Sequence, residues 1–208
     1  VRPVLIPFSD YAKKPTQEII DRYDNDGYVN FIFVGRIAPN KKQEDVIRAF
    51  SCYQRFCNPK SRLILVGSWS GAESYYRRLC RYTAALQAEH VLFTGHIPFP
   101  DILAYYHVAD LFLCMSEHEG FCVPLVEAMY FGVPILAYRA CAVPDTLGDS
   151  GILLDKKDPM ETAMVADRIL TDTSLRRELV ARQRRRQQDF SYGAVRALLE
   201  SQLREFLK

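Results

Sequence analysis

Short apolar runs alternate along the chain with longer segments in which apolar residues recur at helical spacing. The apolar runs are rich in β-branched and aromatic residues, which is typical of buried strands. They lie at residues 28–34, 61–67, 91–95, 110–114 and 135–138. The segments predicted to be helical are residues 16–23, 43–52, 72–87, 101–107, 125–131, 159–170, 174–187 and 192–207. This alternation with short connections predicts an α/β fold, a Rossmann-like parallel β-sheet with helices on both faces.

The first 27 residues precede this pattern. Residues 1–10 contain two prolines and show no clear periodicity, so we expect an extended, linker-like segment there. Asp24-Asn25-Asp26 has the D-x-D spacing of a metal-binding motif, but its turn-forming residues and its place before the first strand favour a turn that ends at Gly27. The sequence therefore predicts a leading segment over 1–27 and one domain over 28–208, with C-terminal helices within 174–207.

Composition narrows the class of protein. Hydrophobic residues make up 49% of the 208 positions, which suits a packed core, and a net charge of +2 gives no general case for nucleic-acid binding. No apolar run is long enough to span a bilayer, and no signal peptide is recognised, although the chain begins with Val1 rather than Met. The six cysteines form no C-x-x-C pair, so we expect reduced thiols in a cytosolic protein rather than disulfides or zinc.

A basic cluster lies in the predicted helix at 174–187. Its members are Arg176, Arg177, Arg182, Arg184, Arg185 and Arg186. A solvated helix face is our first interpretation, because charge clusters on helices usually face water. Contact with an anionic membrane surface stays open as the alternative.

The stretch from Ser116 to Tyr138 organises the rest of the chain. It follows a buried strand, turns at Gly120, and starts a short helix near Pro124, which is tolerated in the first helical turn. Gly132 then ends the helix before the next strand. Free backbone N–H groups and the positive end of the helix dipole should face outward at the turn, which makes it a candidate phosphate site.

Two carboxylates frame this turn. Glu119 lies just before the glycine, and Glu127 lies about one turn into the helix, on the edge of the same predicted pocket. A carboxylate can accept hydrogen bonds from two hydroxyls of a ribose or hexose. The alternative is that Glu119 caps a helix and that Glu127 is a solvated first-turn acid.

A second candidate loop follows the predicted strand at 28–34. It contains Gly35, Arg36 and Lys41, and loops after parallel strands are where α/β folds bind ligands. Two cations there could neutralise a diphosphate without a metal ion, Arg through its planar fork and Lys as a point charge. Lys42 could share this role, and a solvated basic loop is the alternative.

The window from Glu119 through Gly120, Phe121 and Cys122 to Glu127, followed by Gly132-Val-Pro134, resembles the E-x7-E signature of a large glycosyltransferase family. That family, glycosyl transferases group 1, contains retaining, nucleotide-sugar-dependent enzymes with the GT-B fold. The Gly-Arg…Lys loop is similar to the family's diphosphate-binding loop. Two departures are visible: Cys122 and Lys42 stand where the family often has glycine. The resemblance covers nearly all of residues 29–207, and it implies a proline–acid turn at 142–145 and a last short strand at 149–154.

The resemblance implies roles for particular residues. Arg36 and Lys41 would hold the diphosphate with the amides of Gly120 to Cys122, Glu127 the ribose hydroxyls, and Glu119 the hydroxyls of the transferred sugar. The loop after residues 91–95 would approach the nucleotide base. The implied donor-binding set is Gly35, Arg36, Lys41, Gly95, His96, Glu119, Gly120, Phe121, Cys122, Leu125 and Glu127. Glu119, Arg36 and Lys41 are the candidate catalytic residues.

The resemblance also implies what the whole protein does. It matches the C-terminal, donor-binding half of a GT-B enzyme that transfers a hexose from a nucleoside-diphosphate sugar to a glycan or lipid-linked acceptor. A missing N-terminal domain would bind the acceptor, and the chain alone would be inactive. We expect polysaccharide biosynthesis in the cytoplasm, with no metal, no other cofactor and no nucleic acid. A non-catalytic nucleotide-sugar-binding module and another GT-B enzyme, such as a sugar-nucleotide epimerase, remain alternatives.

Overall fold

The structure is a computed structural model that describes residues 4–206. The strands of these residues are β1 (Val29–Val34), β2 (Ser61–Val66), β3 (Val91–Gly95), β4 (Leu111–Cys114), β5 (Ile135–Tyr138) and β6 (Ile152–Leu154). The helices are α1 (Phe8–Tyr11), α2 (Gln17–Tyr23), α3 (Gln43–Phe56), α4 (Glu73–Ala85), α5 (Phe99–His107), α6 (Val123–Phe131), α7 (Val143–Leu147), α8 (Pro159–Thr171), α9 (Thr173–Gln188) and α10 (Tyr192–Phe206). A short 3-10 turn spans Pro39–Lys41.

The strands form one sheet in the order β3-β2-β1-β4-β5-β6, and every pair of neighbours is parallel. The chain therefore winds outward in one direction from β1 to β3 and in the other from β4 to β6. In a parallel sheet all carboxyl ends lie at one edge, and a crevice opens where the winding reverses, here between β1 and β4. The predicted fold class is confirmed.

The core has two parts, one on each face of the sheet. Ile32 and Val34 of β1 belong to the part covered by α5 and α6, whereas Phe31 and Phe33 belong to the part covered by α3, α4, α8 and α9. Successive side chains of a strand point to opposite faces, so a strand with helices on both sides must be apolar throughout. This is why these strands read as continuous apolar runs instead of alternating patterns.

The leading segment differs from the extended linker expected over residues 1–10. Residues 1–3 lie outside the described residues, but Phe8–Tyr11 forms a helical turn, and Ile6 and Tyr11 are buried. Phe8 stacks on Tyr130 of α6 with ring centroids 5.8 Å apart. The reason is burial of aromatic surface, which stabilises the segment against the core although its sequence has no periodicity.

Other predictions from the pattern can be followed into the structure. Residues 24–27 form the predicted turn, with Asn25 in the left-handed region and Asp26 Oδ2 2.6 Å from an Arg62 nitrogen. The helix α7 was predicted only as a proline–acid turn. Position 207 of the last predicted helix lies outside the described residues. Among residues 4–206, no helix combines the length and apolar character needed to cross a membrane.

The basic cluster of α9 divides into two groups. Arg176, Arg182 and Arg186 form ion pairs with acidic side chains of the chain. Arg177, Arg184 and Arg185 are exposed. Arg176 and Arg182 connect α9 to Asp110 and Asp149 outside the helix, and the second group gives the helix a basic outer surface.

Candidate functional site

Two loops meet at the reversal of the sheet, one after β1 (residues 35–42) and one after β4 (residues 115–122). Their backbones are joined, because the N–H of Glu117 donates to the carbonyl of Asn40 at 3.0 Å. The side-chain amide of Asn40 also donates to the carbonyl of His118 at 3.3 Å. The crevice that the topology predicts is thus bounded by two loops of fixed relative position.

The two predicted functional residues Lys41 and Glu119 are in direct contact. Lys41 Nζ lies 2.6 Å from Glu119 Oε2, and the side chains are 21% and 9% exposed. The sequence placed both residues at the carboxyl edge of the sheet but did not predict that they pair. A partly buried, charge-assisted hydrogen bond of this length fixes both charged groups at the mouth of the crevice.

A second set of ion pairs supports the loops from the side of α3. Glu117 contacts Lys42 Nζ at 3.1 Å and Lys157 Nζ at 2.8 Å, and Lys157 also contacts Asp45 at 3.1 Å. Hydrogen bonds from Lys157 and Lys42 lower the pKa of Glu117. Neither Glu117 nor Lys157 could be predicted from the sequence, because these two residues are far apart along the chain. Lys42 is held by Glu117, so Lys41 is the lysine that the structure brings to Glu119.

A buried glutamine, Gln43, holds the loop after β1 in place. Gln43 has no exposed surface, and its side-chain N–H donates to the carbonyl of Arg36 at 3.0 Å. The Tyr75 hydroxyl donates to Gln43 Oε1 at 3.0 Å. The only sign of this arrangement in the sequence is that a polar residue, Gln43, begins an amphipathic helix. That sign did not predict the contacts of Gln43 with Arg36 and Tyr75.

The turn before α6 has the form expected of an anion site. Among residues 4–206, the backbone N–H groups of Gly120, Phe121 and Cys122 have no hydrogen-bond acceptor. Cys122 adopts a left-handed conformation (φ 65°), and Pro124 lies in the first turn of the helix. Three free donors at the start of a helix are suited to phosphate oxygens. The Leu125 side chain is fully buried, so only its backbone is available to a ligand.

Glu127 lies one turn into α6, as predicted, but it is not a solvated edge residue. Its Oε2 accepts a hydrogen bond from the Tyr106 hydroxyl at 2.8 Å, and its Oε1 accepts one from the Tyr11 hydroxyl at 3.1 Å. Burial raises the pKa of Glu127 despite these two donors. The alternative of a solvated first-turn acid is therefore wrong, because Tyr11, from the leading segment, packs over this carboxylate.

The remaining predicted side-chain and loop positions are Arg36, Gly95 and His96. Arg36 is exposed, and its guanidinium donates to the carbonyl of Ser70 at 3.1 Å. Gly95 is the last residue of the edge strand β3, and the exposed His96 follows it; β2 separates β3 from β1. Gly95 has φ +73°, and a Cβ there would lie 3.1 Å from the Trp69 ring.

Gly35 has a partner that the sequence did not reveal. The N–H of Gly35 donates to the carbonyl of Val66 at 2.9 Å, and the next residue, Gly67, packs directly against Gly35. A Cβ at Gly67 would lie 2.0 Å from the carbonyl oxygen of Gly35. Glycine is therefore required at Gly67 for the loop after β1 to take its course.

The chain matches the family described as glycosyl transferases group 1 over residues 16–186, and it belongs to that family. Among curated relatives, it is 26% identical over 187 residues to the serotype-specific mannosyltransferase WbdA of Escherichia coli, covering 88% of this chain and 22% of the relative. It is 28% identical over 173 residues to a D-inositol 3-phosphate glycosyltransferase of Corynebacterium diphtheriae, covering 81% and 40%. The chain thus spans less than half the length of these two relatives.

Solved structures show the same fold. HepE from Anabaena, in complex with UDP and glucose, superposes with a TM-score of 0.80 at 22% identity, covering 97% of this chain and 55% of HepE. The C-terminal domain of a group 1 glycosyl transferase (LpcC) from Francisella tularensis superposes with a TM-score of 0.68 at 21% identity, covering 88% of this chain and 98% of that domain. The chain therefore has the Rossmann-like fold of one GT-B half. Neither alternative, the non-catalytic module or the epimerase, is favoured.

Proposed function

We propose that this chain is the donor-binding half of a retaining glycosyltransferase that transfers a hexose from a nucleoside-diphosphate sugar to a glycan or lipid-linked acceptor. The observation that carries the proposal is the contact between Lys41 and Glu119 beside the free amides of Gly120 to Cys122. A cation, a carboxylate and unpaired N–H donors in one small area match a diphosphate joined to a polyhydroxyl sugar.

The diphosphate would lie between the two loops. Lys41 and the amides of the turn bind one side, and Arg36, whose side chain is exposed, turns from the Ser70 carbonyl to bind the other. Negative charge grows on the leaving diphosphate as the glycosidic bond breaks, so these donors stabilise the transition state more than the bound substrate. The neutralisation comes from the chain itself, and we therefore expect no metal requirement and no further cofactor.

Glu119 would orient the transferred sugar by accepting its hydroxyl hydrogen bonds. Its ion pair with Lys41 holds the carboxylate in one position, which suits a positioning role. The same ion pair makes Glu119 a poor nucleophile, because attack would have to break it. We assign Glu119, Lys41 and Arg36 to the catalytic site on this basis.

Glu127 would bind the ribose. An ionised carboxylate offers about four acceptor positions, and tyrosine hydroxyls occupy two of them here, so two remain for the 2′- and 3′-hydroxyls. The base would extend along the carboxyl edge toward Gly95 and His96, and the backbone of Leu125 would line the nucleotide. This path follows the edge of the sheet from β4 across β1 and β2 to β3.

The acceptor would bind to a second domain that faces this crevice. Mannosyltransferases of O-antigen chains are among the relatives, including O-antigen chain mannosyltransferase B of Escherichia coli at 24% identity, which favours a role in polysaccharide biosynthesis. We place the enzyme in the cytoplasm. The exposed arginines of α9, Arg177, Arg184 and Arg185, would allow peripheral contact with an anionic membrane surface.

The proposal is tested by titration calorimetry with UDP, GDP and ADP, and with the matching free nucleosides. Lys41→Met should weaken binding of the preferred diphosphate by roughly 1.5–3 kcal/mol, the contribution of a hydrogen bond to a charged group. Binding of the free nucleoside should be nearly unchanged. Binding of the diphosphate should also weaken with added salt.

Lys42→Met is the matched control, since Lys42 is the neighbouring lysine and is held by Glu117. It should change diphosphate binding far less than Lys41→Met. Equal losses of diphosphate and nucleoside in Lys41→Met would mean that the loop acts through folding, and would contradict the proposed role. Failure of all three diphosphates to bind the folded chain would contradict the proposed function.

A further inference from the structure

Two cysteines and one acid converge behind the turn that precedes α6. Among residues 4–206, the Sγ atoms of Cys114 and Cys122 and a carboxylate oxygen of Glu119 all lie within 4.8 Å of one another. Cys114 and Cys122 are buried, with 1% and 5% of their surface exposed, and the Glu119 side chain is 9% exposed. None of the roles proposed above uses either thiol.

The backbone brings the two sulfur atoms together. Cys114 is the last residue of β4, in the middle of the sheet, and it pairs with Ala137 of β5. Cys122 follows the turn and adopts the left-handed conformation that a glycine would take without strain. A side chain at this position therefore strains the backbone. This strained backbone conformation places the Cys122 thiol in a small space that already contains Cys114 and Glu119.

We propose that Cys114, Cys122 and Glu119 bind one thiophilic divalent metal ion of the Zn²⁺ type. Zinc takes sulfur ligands at about 2.3 Å and carboxylate oxygens at about 2.0–2.2 Å. Two sulfur ligands on one ion therefore lie at most about 4.6 Å apart, and closer in a tetrahedron. The observed limit of 4.8 Å requires only a small inward movement of the turn. Three protein ligands leave a fourth position for water.

The charges balance at this site. Two thiolates and one carboxylate carry three negative charges, and the ion carries two positive charges. The ammonium group of Lys41, 2.6 Å from Glu119 Oε2, supplies the remaining positive charge. Glu119 keeps Oε1 for the ion while Oε2 stays with Lys41. Buried charges need such compensation, because an unpaired one would cost several kcal/mol.

The alternative to metal binding is a disulfide between Cys114 and Cys122. It would need only the two sulfur atoms, and it would leave the carboxylate of Glu119 beside an uncharged group. The metal site accounts for all three groups and for Lys41.

The ion would inhibit donor binding, and this consequence rests on the proposed function. It would occupy the carboxylate that orients the sugar, and it would restrain the turn whose amides bind phosphate. Metal binding and donor binding are measured separately, so that failure of one can be told from failure of the other.

The experiment titrates the reduced, metal-free chain with Cd²⁺, whose thiolate complexes absorb in the ultraviolet, and then displaces Cd²⁺ with Zn²⁺. We expect one ion per chain with a thiolate charge-transfer band. Cys122→Gly suits the left-handed backbone, and Cys114→Ser is a second variant that removes the other thiol. Each should weaken metal binding by at least the roughly 10–100-fold that the loss of an outer-shell partner costs. Glu119→Gln should also weaken it while retaining the band.

The matched control is Cys141→Ser, which removes an exposed thiol 3.8 Å from His118 and outside the cluster. It should leave the tight site intact. Unchanged Cd²⁺ affinity in folded Cys122→Gly and Cys114→Ser would overturn the proposal. So would formation of a Cys114–Cys122 disulfide under air in a chain that binds no Cd²⁺ when reduced. Loss of UDP, GDP and ADP binding with intact metal binding would count against the donor site alone.

Discussion

At the scale of single residues, Glu127 shows how burial changes a role deduced from spacing. Its position in α6 was predicted, but the two tyrosine hydroxyls that contact it come from α1 and α5, which are distant in the sequence. The carboxylate is satisfied by hydrogen bonds and still desolvated, and its pKa is raised. The site therefore contains an acid whose protonation depends on the packing of the leading segment.

This gives a prediction for stability and pH. Because the folded chain retains the Glu127 proton to a higher pH than the unfolded chain, this group lowers the free energy of unfolding as pH rises above about 4.5. Glu127→Gln removes that dependence and keeps partners for both tyrosine hydroxyls. We expect the free energy of unfolding of Glu127→Gln, relative to that of the native chain, to increase as the pH rises above about 4.5. Urea unfolding at a series of pH values measures this difference.

Glu117→Gln is the contrasting control, since Lys157 and Lys42 lower the pKa of Glu117. Its ionised form is favoured by folding, so native Glu117 adds stability above the ordinary glutamate pKa and loses it as pH falls. Glu117→Gln should therefore become less stable relative to the native chain as pH rises. If the relative stability of Glu117→Gln rose with pH, or that of Glu127→Gln fell, the directions assigned to the two pKa shifts would be contradicted.

At the scale of elements, the loop after β1 depends on a close contact between two glycines. Gly67→Ala should destabilise the chain by more than about 3 kcal/mol, because the new Cβ would meet the Gly35 carbonyl oxygen at 2.0 Å and the residue has φ +151°. Thermal and urea unfolding measure the effect. A loss below about 1 kcal/mol would mean that the two loops do not approach as described.

Substitutions at two other glycines distinguish the steric clash from backbone strain as the cause of the lost stability in Gly67→Ala. Gly27 has φ +85° and no atom within 4 Å of an added Cβ, so Gly27→Ala should cost only the backbone strain of roughly 1–2 kcal/mol. Gly193 lies in α10 with open space around it, and Gly193→Ala should stabilise the chain by up to about 1 kcal/mol through helix propensity. The order of the three effects tests the contact independently of its absolute size.

The elements themselves could be predicted from the sequence because each leaves a local pattern. Five of the six strands and the longer helices follow from apolar periodicity, glycine and proline, whereas β6 was expected only from the family resemblance; the bounds of the strands differ by a few residues at most. The short helix α1 could not be predicted, since its four residues form only through contact with α6. The Lys41–Glu119 pair and the Glu117–Lys157 pair were equally inaccessible, because parallel strands join loops that are far apart in sequence.

At the scale of the whole molecule, the described crevice has one wall. The two loops that bound it both leave the carboxyl edge of one sheet, and residues 4–206 form no second sheet that could face them. HepE, of which this chain covers 55%, has a further length of chain beyond this fold. A binding site with one wall excludes little water and holds a ligand weakly.

The isolated 208-residue chain should therefore fold and bind a nucleoside diphosphate weakly, with or without a chelator. The diphosphate is neutralised by Lys41 and Arg36, so removal of divalent metal should not abolish binding, and it should strengthen binding if zinc occupies the cysteine site. Glycosyl transfer should be undetectable, since no described residue can position an acceptor against the donor sugar. Calorimetry and a transfer assay with sugar nucleotides and candidate acceptors test both expectations. Rapid transfer by the chain alone would overturn the half-enzyme proposal, and loss of binding on chelation would overturn the metal-free donor site.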